Sequence, residues 1–454
     1  MEEFDVVVVG AGPGGYPAAI RSARLGRRCA IVEREALGGL CLNAGCIPTK
    51  TLMASADRYL QVCMADELGV RVAEPDPAFV PMHERMRGVV NRLRAGIDLQ
   101  LRSCGVEMIN GRARFLSPNQ IAVDSAEGAT RVLQAKQFIV ATGSVAVLPD
   151  FLPKSERILD STAFLEQEKL PDTLLILGGG VVGCEFACLA AALGTGVTVV
   201  EQDSDILPQL DEDVRGVVSR RMIELGIEVW PKSRLDSIDV SGGQVIAHCG
   251  TSTFVADRML VAAGRKARTD GLDLAAAGVE TNARGEIRVD AWGRTSVPTI
   301  FAVGDVSEGS PQLAHAATCQ GIIAAEYAAG LKREAEKQAC PFCVFTIPEV
   351  AGVGLSEREA RKQALDVRVG RLPFTATGRA WTTGETDGFV KWIAEAETGR
   401  LVGAQVVGDH AAEMIAEPTL AIQQGLTARQ IVQTIHAHPT FSEAWADAAW
   451  KIVE

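Results

Sequence analysis

A strand, turn and helix pattern that occurs twice constrains the fold of this chain most. The segments "FDVVVVGAGPGG" and "TLLILGGGVVGCE" each run from a short apolar stretch directly into a Gly-x-Gly-x-x-Gly turn. Each glycine of the second copy lies 168 positions after its counterpart, since Gly10, Gly12 and Gly15 correspond to Gly178, Gly180 and Gly183. Such a turn opens the first βα unit of a doubly wound α/β sheet, so two such units are expected.

An acidic residue follows each turn at the same distance. Glu33 comes after "CAIV" and Glu201 after "VTVV", both 18 positions beyond the third glycine of their own copy. A carboxylate about 20 residues on holds the ribose hydroxyls of a bound dinucleotide. The repeat therefore predicts two dinucleotide sites. Glu201 is followed by further acids in "QDSDILPQLDED", which favours NAD over NADP because a carboxylate repels a 2′-phosphate.

Length and composition limit the class of protein. At 454 residues the chain is too long for one core, and 47% hydrophobic with 22% charged residues is typical of a soluble globular protein. The net charge of −12 argues against nucleic acid or an anionic membrane as a partner. The acidic start "MEEFD" does not resemble a signal peptide, so a cytoplasmic location with mostly reduced cysteines is expected.

The segment "GGLCLNAGCIPTK" places Cys41 and Cys46 five positions apart. Packed thiols, half of a metal site and a redox-active disulfide are the three interpretations. A structural zinc site needs four ligands, and Cys340-Pro-Phe-Cys343 is the nearest candidate for a second pair, so no metal is expected. In the cytosol a disulfide is more often catalytic than structural. If the first dinucleotide is FAD, a disulfide here could lie against the flavin.

Five motifs together resemble one family. The glycine turn, "GGLCLNAGCIPTK", "ATGS", "FAVGD" and "HAHPTFSE" are similar to those of the pyridine nucleotide-disulfide oxidoreductases, over essentially the whole chain. Within that family, the two longest motifs are most similar to members that oxidise lipoyl-bound dithiols with NAD. The resemblance implies an α/β fold with two Rossmann-like domains and a C-terminal α+β domain. Its expected domains are FAD-binding (1–145), NAD-binding (146–265), central (266–335, completing the FAD site) and dimerisation (336–454).

The resemblance also assigns roles to individual residues. Cys41 would attack the substrate and Cys46 would be the thiolate at the flavin, while Lys50 and Glu185 would form an ion pair beside it. The residues expected to contact FAD or NAD are Gly10, Gly12, Pro13, Gly14, Gly15, Glu33, Arg34, Gly39, Leu40, Cys41, Lys50, Ala113, Thr142, Gly143, Ser144, Gly178, Gly180, Val181, Val182, Gly183, Glu201, Leu235, Gly264, Asp305, Gln312, Leu313, Ala314 and His315.

A histidine near the end of the chain completes the expected chemistry. By the resemblance, His438 would be the acid/base and Glu443 would orient it, which suits histidine because it exchanges protons near neutral pH. The pair lies in a different domain from the thiols, so a homodimer that shares its active sites is expected. We also expect a cis His438-Pro439 bond. His436 is expected to be structural.

Partners and alternatives follow from the same resemblance. The expected partner is the lipoyl domain of a 2-oxo acid dehydrogenase complex or the lipoyl carrier of glycine cleavage. A related NAD(P)H-dependent reductase of another disulfide or of mercuric ion is the first alternative, and a transhydrogenase or a non-catalytic assembly subunit are others.

Cys184 and Cys188, four apart on a predicted helix, are expected to pack in the core. For Cys340 and Cys343, packing is favoured over a second redox role.

Overall fold

The computed structural model describes residues 2–331 and 338–454. The first dinucleotide unit is a parallel sheet with an antiparallel extension, in the order β3-β2-β1-β6-β5-β4. Strand β1 is buried along most of its length, as expected for a strand covered on both faces. The elements of this unit are β1 (Glu2–Val9), α1 (Gly15–Arg24), β2 (Cys29–Glu33), α2 (Gly39–Ala44), α3 (Cys46–Cys63), α4 (Phe79–Ser103), β3 (Glu107–Asn110), β4 (Arg112–Ser117), β5 (Gln120–Asp124), β6 (Thr130–Val140) and β7 (Ser144–Ala146).

The second unit repeats this arrangement. Its parallel sheet has the order β11-β10-β9-β15-β8, and a separate antiparallel sheet, β12-β13-β14, precedes β15. The predicted duplication is therefore present in the topology as well as in the turns. The elements are β8 (Ile158–Leu159), α5 (Ser161–Leu165), β9 (Thr173–Leu177), α6 (Val181–Ala192), β10 (Gly196–Val200), α7 (Glu212–Glu224), β11 (Glu228–Trp230), β12 (Ser237–Ser241), β13 (Gln244–Cys249), β14 (Ser252–Ala256) and β15 (Arg258–Val261).

The chain then returns to the first unit, as the motif "FAVGD" predicts. Strand β16 (Arg265–Ala267) pairs with β7, and β17 (Ile300–Ala302) lies parallel to β6 with Ile300 beside Phe138. Helix α8 (Ala314–Ala328) follows and packs against α1. The carboxyl ends of β1, β6 and β17 thus meet at one edge of the sheet, which is where open α/β sheets bind ligands. The expected boundary at 335/336 lies outside the described residues.

The C-terminal domain is a five-stranded antiparallel sheet, β18-β19-β22-β21-β20, with helices on it. Trp392 and Trp445 pack in its core with ring centroids 4.7 Å apart. This agrees with the predicted change to an α+β domain near Cys340. The elements are β18 (Phe342–Val344), β19 (Val350–Gly354), α9 (Glu357–Lys362), β20 (Val367–Pro373), α10 (Gly378–Thr383), β21 (Phe389–Glu395), β22 (Leu401–Val407), α11 (Ala411–Met414), α12 (Ala416–Gln423), α13 (Ala428–Val432) and α14 (Glu443–Val453).

A proline lies near the start of one C-terminal helix. The apolar segment "AEMIAEPTLAIQQG" forms two helices, α11 and α12, with Pro418 as the third residue of α12. Proline is tolerated in the first turn of a helix, where its missing N–H would have no intrahelical partner. The proline therefore belongs to the start of a new helix rather than to the middle of a continuous one.

Two sets of contacts hold the units together, one near the thiols and one away from them. A hydrophobic cluster spans α3, α6 and β18, with Leu52, Cys184 and Val344 among its members. Elsewhere Lys391, whose side chain is 1% exposed, donates to Asp211 at 2.9 Å and to Asp213 at 2.7 Å on the second unit. Breaking a buried ion pair is costly, so this contact fixes the C-terminal domain on the second unit. Among the described residues, no helix combines the length and apolarity needed to span a membrane.

Candidate active site

The two glycine turns have the same geometry. Gly10 has φ +100° and Gly178 has φ +109°, a region that favours glycine. A Cβ on Gly10 would lie 2.5 Å from the carbonyl oxygen of Ala141, and one on Gly178 equally close to that of Ala262. Ala141 and Ala262 belong to the two Ala-x-Gly segments that follow β6 and β15. Glycine is therefore required because each turn packs directly on the neighbouring strand.

The two predicted ribose acids are held in the same way. Glu33 Oε2 accepts from the backbone N–H of Ala11 at 2.7 Å, and Glu201 Oε2 accepts from that of Gly179 at 2.6 Å. Each other oxygen accepts from the N–H two residues further along the chain, at 2.9 and 2.7 Å. Both carboxylates are thereby fixed at the rim of their own glycine turn, where a ribose of a dinucleotide would lie.

A chain of hydrogen-bonded polar side chains lies beside the first turn. Ser144 Oγ donates to Asp305 Oδ2 at 2.6 Å, and Arg265 Nε donates to Ser144 Oγ at 2.7 Å. Arg268, near the same edge, has a buried Nε for which the described residues supply no acceptor. A buried donor of this kind suits a polar ligand group, so the edge fits a dinucleotide. Sequence reasoning missed both arginines, although Arg265 directly follows the Ala-x-Gly segment after β15.

The other predicted cofactor residues are distributed over both units. Gly39, at the start of α2, packs on the first turn, where its Cβ would lie 2.7 Å from the Cα of Gly12. Gln312, with φ +55°, and Leu313 lead into α8. Arg34 is partly exposed and pairs with its neighbour Glu35. Ala113 is buried on β4, and Leu40 is exposed on α2. The loops and helix starts of the first unit carry Pro13, Gly14, Thr142, Gly143, Ala314 and His315. The second unit carries Val181, Val182, Leu235 and Gly264.

The thiol pair lies where a helix is interrupted. Cys41 is on α2 and Cys46 is the first residue of α3, with Gly45 between the two helices at φ −147° and ψ −113°. The backbone is therefore distorted at Gly45, between the two thiols. Both residues are thiols in this structure, and the Cys41 side chain hydrogen-bonds to that of Cys46. The sulfurs face each other, as the predicted disulfide requires.

The surroundings stabilise negative charge on Cys46 in particular. The hydrogen bond from Cys41 lowers the pKa of Cys46 to about 7, against the opposing effect of burial, with further help from the positive charge of Lys50 and from the backbone N–H of Cys46 itself. The same hydrogen bond, with burial, raises the pKa of Cys41. A thiolate is the reactive form of cysteine. In the reduced pair, Cys46 therefore carries the charge and Cys41 keeps the proton.

Lys50 is itself fixed from the second unit. Its Nζ donates to Glu185 Oε2 at 2.7 Å, which is the predicted ion pair, and lies 4.7 Å from the centroid of the Phe345 ring. Glu185 is 4% exposed and also accepts from the backbone N–H of Phe345 at 2.9 Å. Three domains thus meet at this ammonium group. Phe345 was missed in the sequence because nothing local marks it.

These contacts predict a pH-dependent thiolate. In the reduced protein we expect one thiolate per subunit to form near pH ~7, about 1.5 units below an ordinary cysteine, detected by ultraviolet thiolate absorbance. The signal should be missing in Cys46→Ser and unchanged in Cys63→Ser, which replaces an exposed thiol. Lys50→Met should move the transition to higher pH because a nearby positive charge is lost. A transition in Cys46→Ser identical to that of the unsubstituted protein would contradict this assignment.

The predicted histidine pair is formed at the surface of the C-terminal domain. His438 Nδ1 donates to Glu443 Oε2 at 2.8 Å, and Glu443 is the first residue of α14. The predicted cis His438-Pro439 bond is confirmed. The His438 side chain is 75% exposed, so its Nε2 faces outward from this chain. His436, by contrast, is 8% exposed and bonds to Glu417 at 2.8 Å, which agrees with a structural role.

The remaining cysteines behave mainly as packing residues. Cys184 and Cys188 are fully buried on α6, and burial raises the pKa of both thiols. Cys343 packs against the core of the C-terminal domain, where burial raises its pKa to about 11. Among the residues that the structure describes, no group of three or more His, Cys, Asp or Glu side chains could hold a metal ion.

Two dinucleotide turns in one chain, one of them close to a thiol pair, define an oxidoreductase that passes electrons between a disulfide and a pyridine nucleotide. The chain belongs to the pyridine nucleotide-disulphide oxidoreductase family. The model of that family matches residues 4–321, and the model of the family's dimerisation domain matches residues 340–449. The cofactors are accordingly FAD and NAD, and the α/β fold with its C-terminal dimerisation domain is as predicted.

Several relatives are similar over nearly their whole length. Dihydrolipoyl dehydrogenase of Halobacterium salinarum is 42% identical over 98% of this chain and 95% of the relative. Dihydrolipoyl dehydrogenase of Geobacillus stearothermophilus is 40% identical, with 98% and 96% covered. Among solved structures, LpdA from Mycobacterium tuberculosis has a TM-score of 0.92 at 29% identity over 100% of both chains. The HOCl-induced flavoprotein disulfide reductase RclA from Escherichia coli has a TM-score of 0.89 at 30% identity, covering 98% and 99%.

Proposed function

We propose that this chain oxidises protein-bound dihydrolipoamide to lipoamide and reduces NAD⁺ to NADH, as a dihydrolipoyl dehydrogenase. The observation that carries the proposal is the Cys41–Cys46 pair at the break between α2 and α3, with the Lys50–Glu185 ion pair close by. The hydrogen bond between the thiols, helped by the charge of Lys50, lowers the pKa of Cys46, while the same hydrogen bond and burial raise that of Cys41. This difference between the two thiols suits a pair in which one sulfur reacts with substrate and the other with the flavin. Relatives at 40 to 42% identity with that name support the same activity.

The dithiol exchange begins with the pair oxidised to a disulfide. A substrate thiolate attacks Cys41 Sγ, so a mixed disulfide forms and Cys46 leaves as a thiolate that Lys50 and the start of α3 stabilise. The second substrate thiol then attacks the substrate sulfur of the mixed disulfide and expels Cys41. The substrate leaves as a cyclic disulfide, and the two electrons remain on Cys41 and Cys46.

The His438–Glu443 pair moves the protons of this exchange. Nε2 of His438 takes the proton from the attacking substrate thiol, because Nδ1 is occupied by the hydrogen bond to Glu443. Glu443 fixes the ring orientation and stabilises the positive charge that the ring then carries. Because His438 faces outward from its own chain, we propose that it serves Cys41 of the partner in a homodimer.

The cofactors connect the dithiol with the nicotinamide. FAD, when bound, supplies a carrier for the electron pair between Cys46 and NAD⁺. We propose that Glu33, Asp305, the turn at Gly10 to Gly15 and the start of α8 hold FAD. We further propose that Glu201 and the turn at Gly178 to Gly183 hold NAD. Arg265 and Arg268 join the first set because Arg265 donates to Ser144 and Arg268 pairs with Glu35, two residues after Glu33.

Glu201 sets the choice of nicotinamide cofactor. We expect NAD⁺ to be preferred over NADP⁺ by at least about tenfold in kcat/KM, because Glu201 bonds a free 2′-hydroxyl and repels a 2′-phosphate. Glu201→Gln should narrow this preference, since the amide keeps the shape of the side chain and removes its charge. Measuring both cofactors with one dihydrolipoamide stock tests the point. Equal kcat/KM values for the unsubstituted protein would contradict it.

The partner and the location are further proposals. We propose that the dithiol arrives on the lipoyl domain of a 2-oxo acid dehydrogenase complex or on the lipoyl carrier of glycine cleavage, in the cytoplasm. We also propose the domain division at 145/146, 265/266 and 335/336. The two glycine turns, the pairing of β17 with β6 and the start of the C-terminal sheet at Phe342 support this division, whereas β7 and β16 span the first two boundaries.

The test of function is a panel of substrates. NAD⁺ reduction by free dihydrolipoamide is measured beside NADH- or NADPH-driven reduction of glutathione disulfide and of mercuric ion, the alternative substrates. Dihydrolipoamide should have the highest kcat/KM of the panel. Faster turnover of glutathione disulfide or mercuric ion would instead support a related reductase.

A further inference from the structure

Two thiols outside the catalytic pair lie at the junction between the first unit and the dimerisation domain. Cys319 is on α8, and Cys340 lies two residues before β18. Both are partly buried, and the dithiol exchange uses neither of them. The sequence pairs Cys340 with Cys343 by their spacing, whereas the structure places the segment that carries Cys340 against α8.

The contacts of α8 bracket Cys340 on both sides. His315 Nε2 donates to the carbonyl oxygen of Pro341 at 2.6 Å, and Cys319 Sγ donates to Gln338 Oε1 at 2.8 Å. His315 and Cys319 are four residues apart, so they lie on the same face of the helix. Because Pro341 and Gln338 flank Cys340 in the chain, this face of α8 lies against the segment that carries Cys340.

Cys343 points elsewhere. It pairs in β18 with Ala351 of β19 and packs against the core of the C-terminal domain. The charges that act on Cys343 include those of Glu349 and Glu413, whereas burial and then Cys319 raise the pKa of Cys340. The two thiols of the Cys-x-x-Cys segment therefore have different neighbours, and that of Cys340 is on α8.

We propose that Cys319 and Cys340 form a second dithiol, separate from Cys41 and Cys46, which a peroxide oxidises to a disulfide between α8 and the start of the dimerisation domain. To form this disulfide, the thiol of Cys319 gives up its hydrogen bond to Gln338. The bond fastens the helix whose first turn we assign to FAD to the domain that carries His438.

The oxidation is balanced with hydrogen peroxide as the oxidant. The thiolate of Cys319 attacks one oxygen of the peroxide, which gives a sulfenic acid on Cys319 and hydroxide. The thiol of Cys340 then attacks the sulfenic sulfur and expels water, while the proton released from Cys319 neutralises the hydroxide. Two thiols and one peroxide thus become one disulfide and two waters. Cys340 is assigned the second step because burial, which raises its pKa, makes it the poorer initial nucleophile.

Tryptic peptides distinguish the possible disulfides. Cys319 lies in the peptide 295–332, Cys340 and Cys343 together lie in 338–358, and Cys41 and Cys46 together lie in 35–50. The holoenzyme is reduced, freed of reductant, treated with hydrogen peroxide, alkylated and digested. We expect a cross-link between 295–332 and 338–358 whose mass is two hydrogens below the sum of the two peptides. The disulfide within 35–50 reports that oxidation has occurred.

Serine variants decide which thiol of 338–358 takes part. The cross-link should be lost in Cys319→Ser and in Cys340→Ser and should persist in Cys343→Ser. A cross-link that persists in Cys340→Ser, a disulfide within 338–358, or no cross-link when 35–50 is fully oxidised would each overturn the proposal. Because the readout is covalent, a failure here leaves the dihydrolipoamide assay unaffected and is distinguishable from failure of the proposed function.

Discussion

Cys41→Ser and Cys46→Ser should each lower dihydrolipoamide-dependent NAD⁺ reduction by at least about 10⁴-fold, because the exchange needs both sulfurs of one disulfide. Serine keeps the size and the hydrogen-bonding capacity of the side chain but forms no disulfide. The loss should therefore appear in kcat with the fold intact. Steady-state NADH formation with excess dihydrolipoamide measures it.

The control variant is Cys63→Ser, which removes an exposed thiol at the last residue of α3 and should keep full turnover. A second readout separates loss of chemistry from loss of cofactor. Both active-site variants should remain yellow and should still pass electrons from NADH to an artificial acceptor, since that reaction bypasses the disulfide. Turnover of Cys41→Ser within tenfold of the unsubstituted protein would refute the exchange mechanism.

His438→Gln should lower kcat with dihydrolipoamide by about 10² to 10⁴-fold, the usual contribution of a positioned acid/base. Glutamine can keep a hydrogen bond to Glu443 but cannot take up a proton at the position of Nε2. Because the group acts on a thiol proton, the remaining activity should rise with pH as the substrate thiol ionises unaided. The measurement is the pH profile of kcat in parallel with the unsubstituted protein.

His436→Gln is the matched control. The same substitution is made two residues away, on a ring that is 8% exposed and bonded to Glu417, and turnover should change little. Glu443→Gln should cost less than His438→Gln, since it removes only the charge that supports the ring. Equal losses in His436→Gln and His438→Gln would point to disruption of the shared loop and would contradict the assigned role of His438.

The sequence predicts those parts of the structure that local geometry determines. The glycine turns can be predicted from the sequence, because each needs a positive φ and a close approach of two backbones, as Gly10 and Gly178 show. The thiol pair, its break at Gly45 and the His438–Glu443 pair also lie within short segments. Spacing indicates the geometry of the glycine turns, whereas the family resemblance implies the roles of the two side-chain pairs. The structure brings the members of each pair together.

The contacts that the sequence does not predict join segments that are far apart in the chain. Phe345 lies 295 positions after Lys50 in the chain and reaches it only because β18 packs beside α3 and α6. The segment that carries Cys340 packs against α8, which bears Cys319, whereas Cys343 packs against the core of the C-terminal domain. The helix break before Pro418 has no local signal apart from the proline itself, because the apolar pattern of the segment continues across it.

We expect each active site to take its thiols from one subunit and its histidine from the other. A mixed dimer of a Cys41→Ser subunit and a His438→Gln subunit, isolated through two different affinity tags, tests it most directly. Each parent homodimer lacks one essential group at both sites. In the mixed dimer, one site combines the intact thiols of the second subunit with the intact His438 of the first.

This mixed dimer should regain about half of the turnover of the unsubstituted dimer, because one of two symmetric sites is restored. If thiols and histidine of the same chain worked together, both sites would still lack one group. Turnover of the mixed dimer no higher than that of the two parent variants would therefore contradict the shared site.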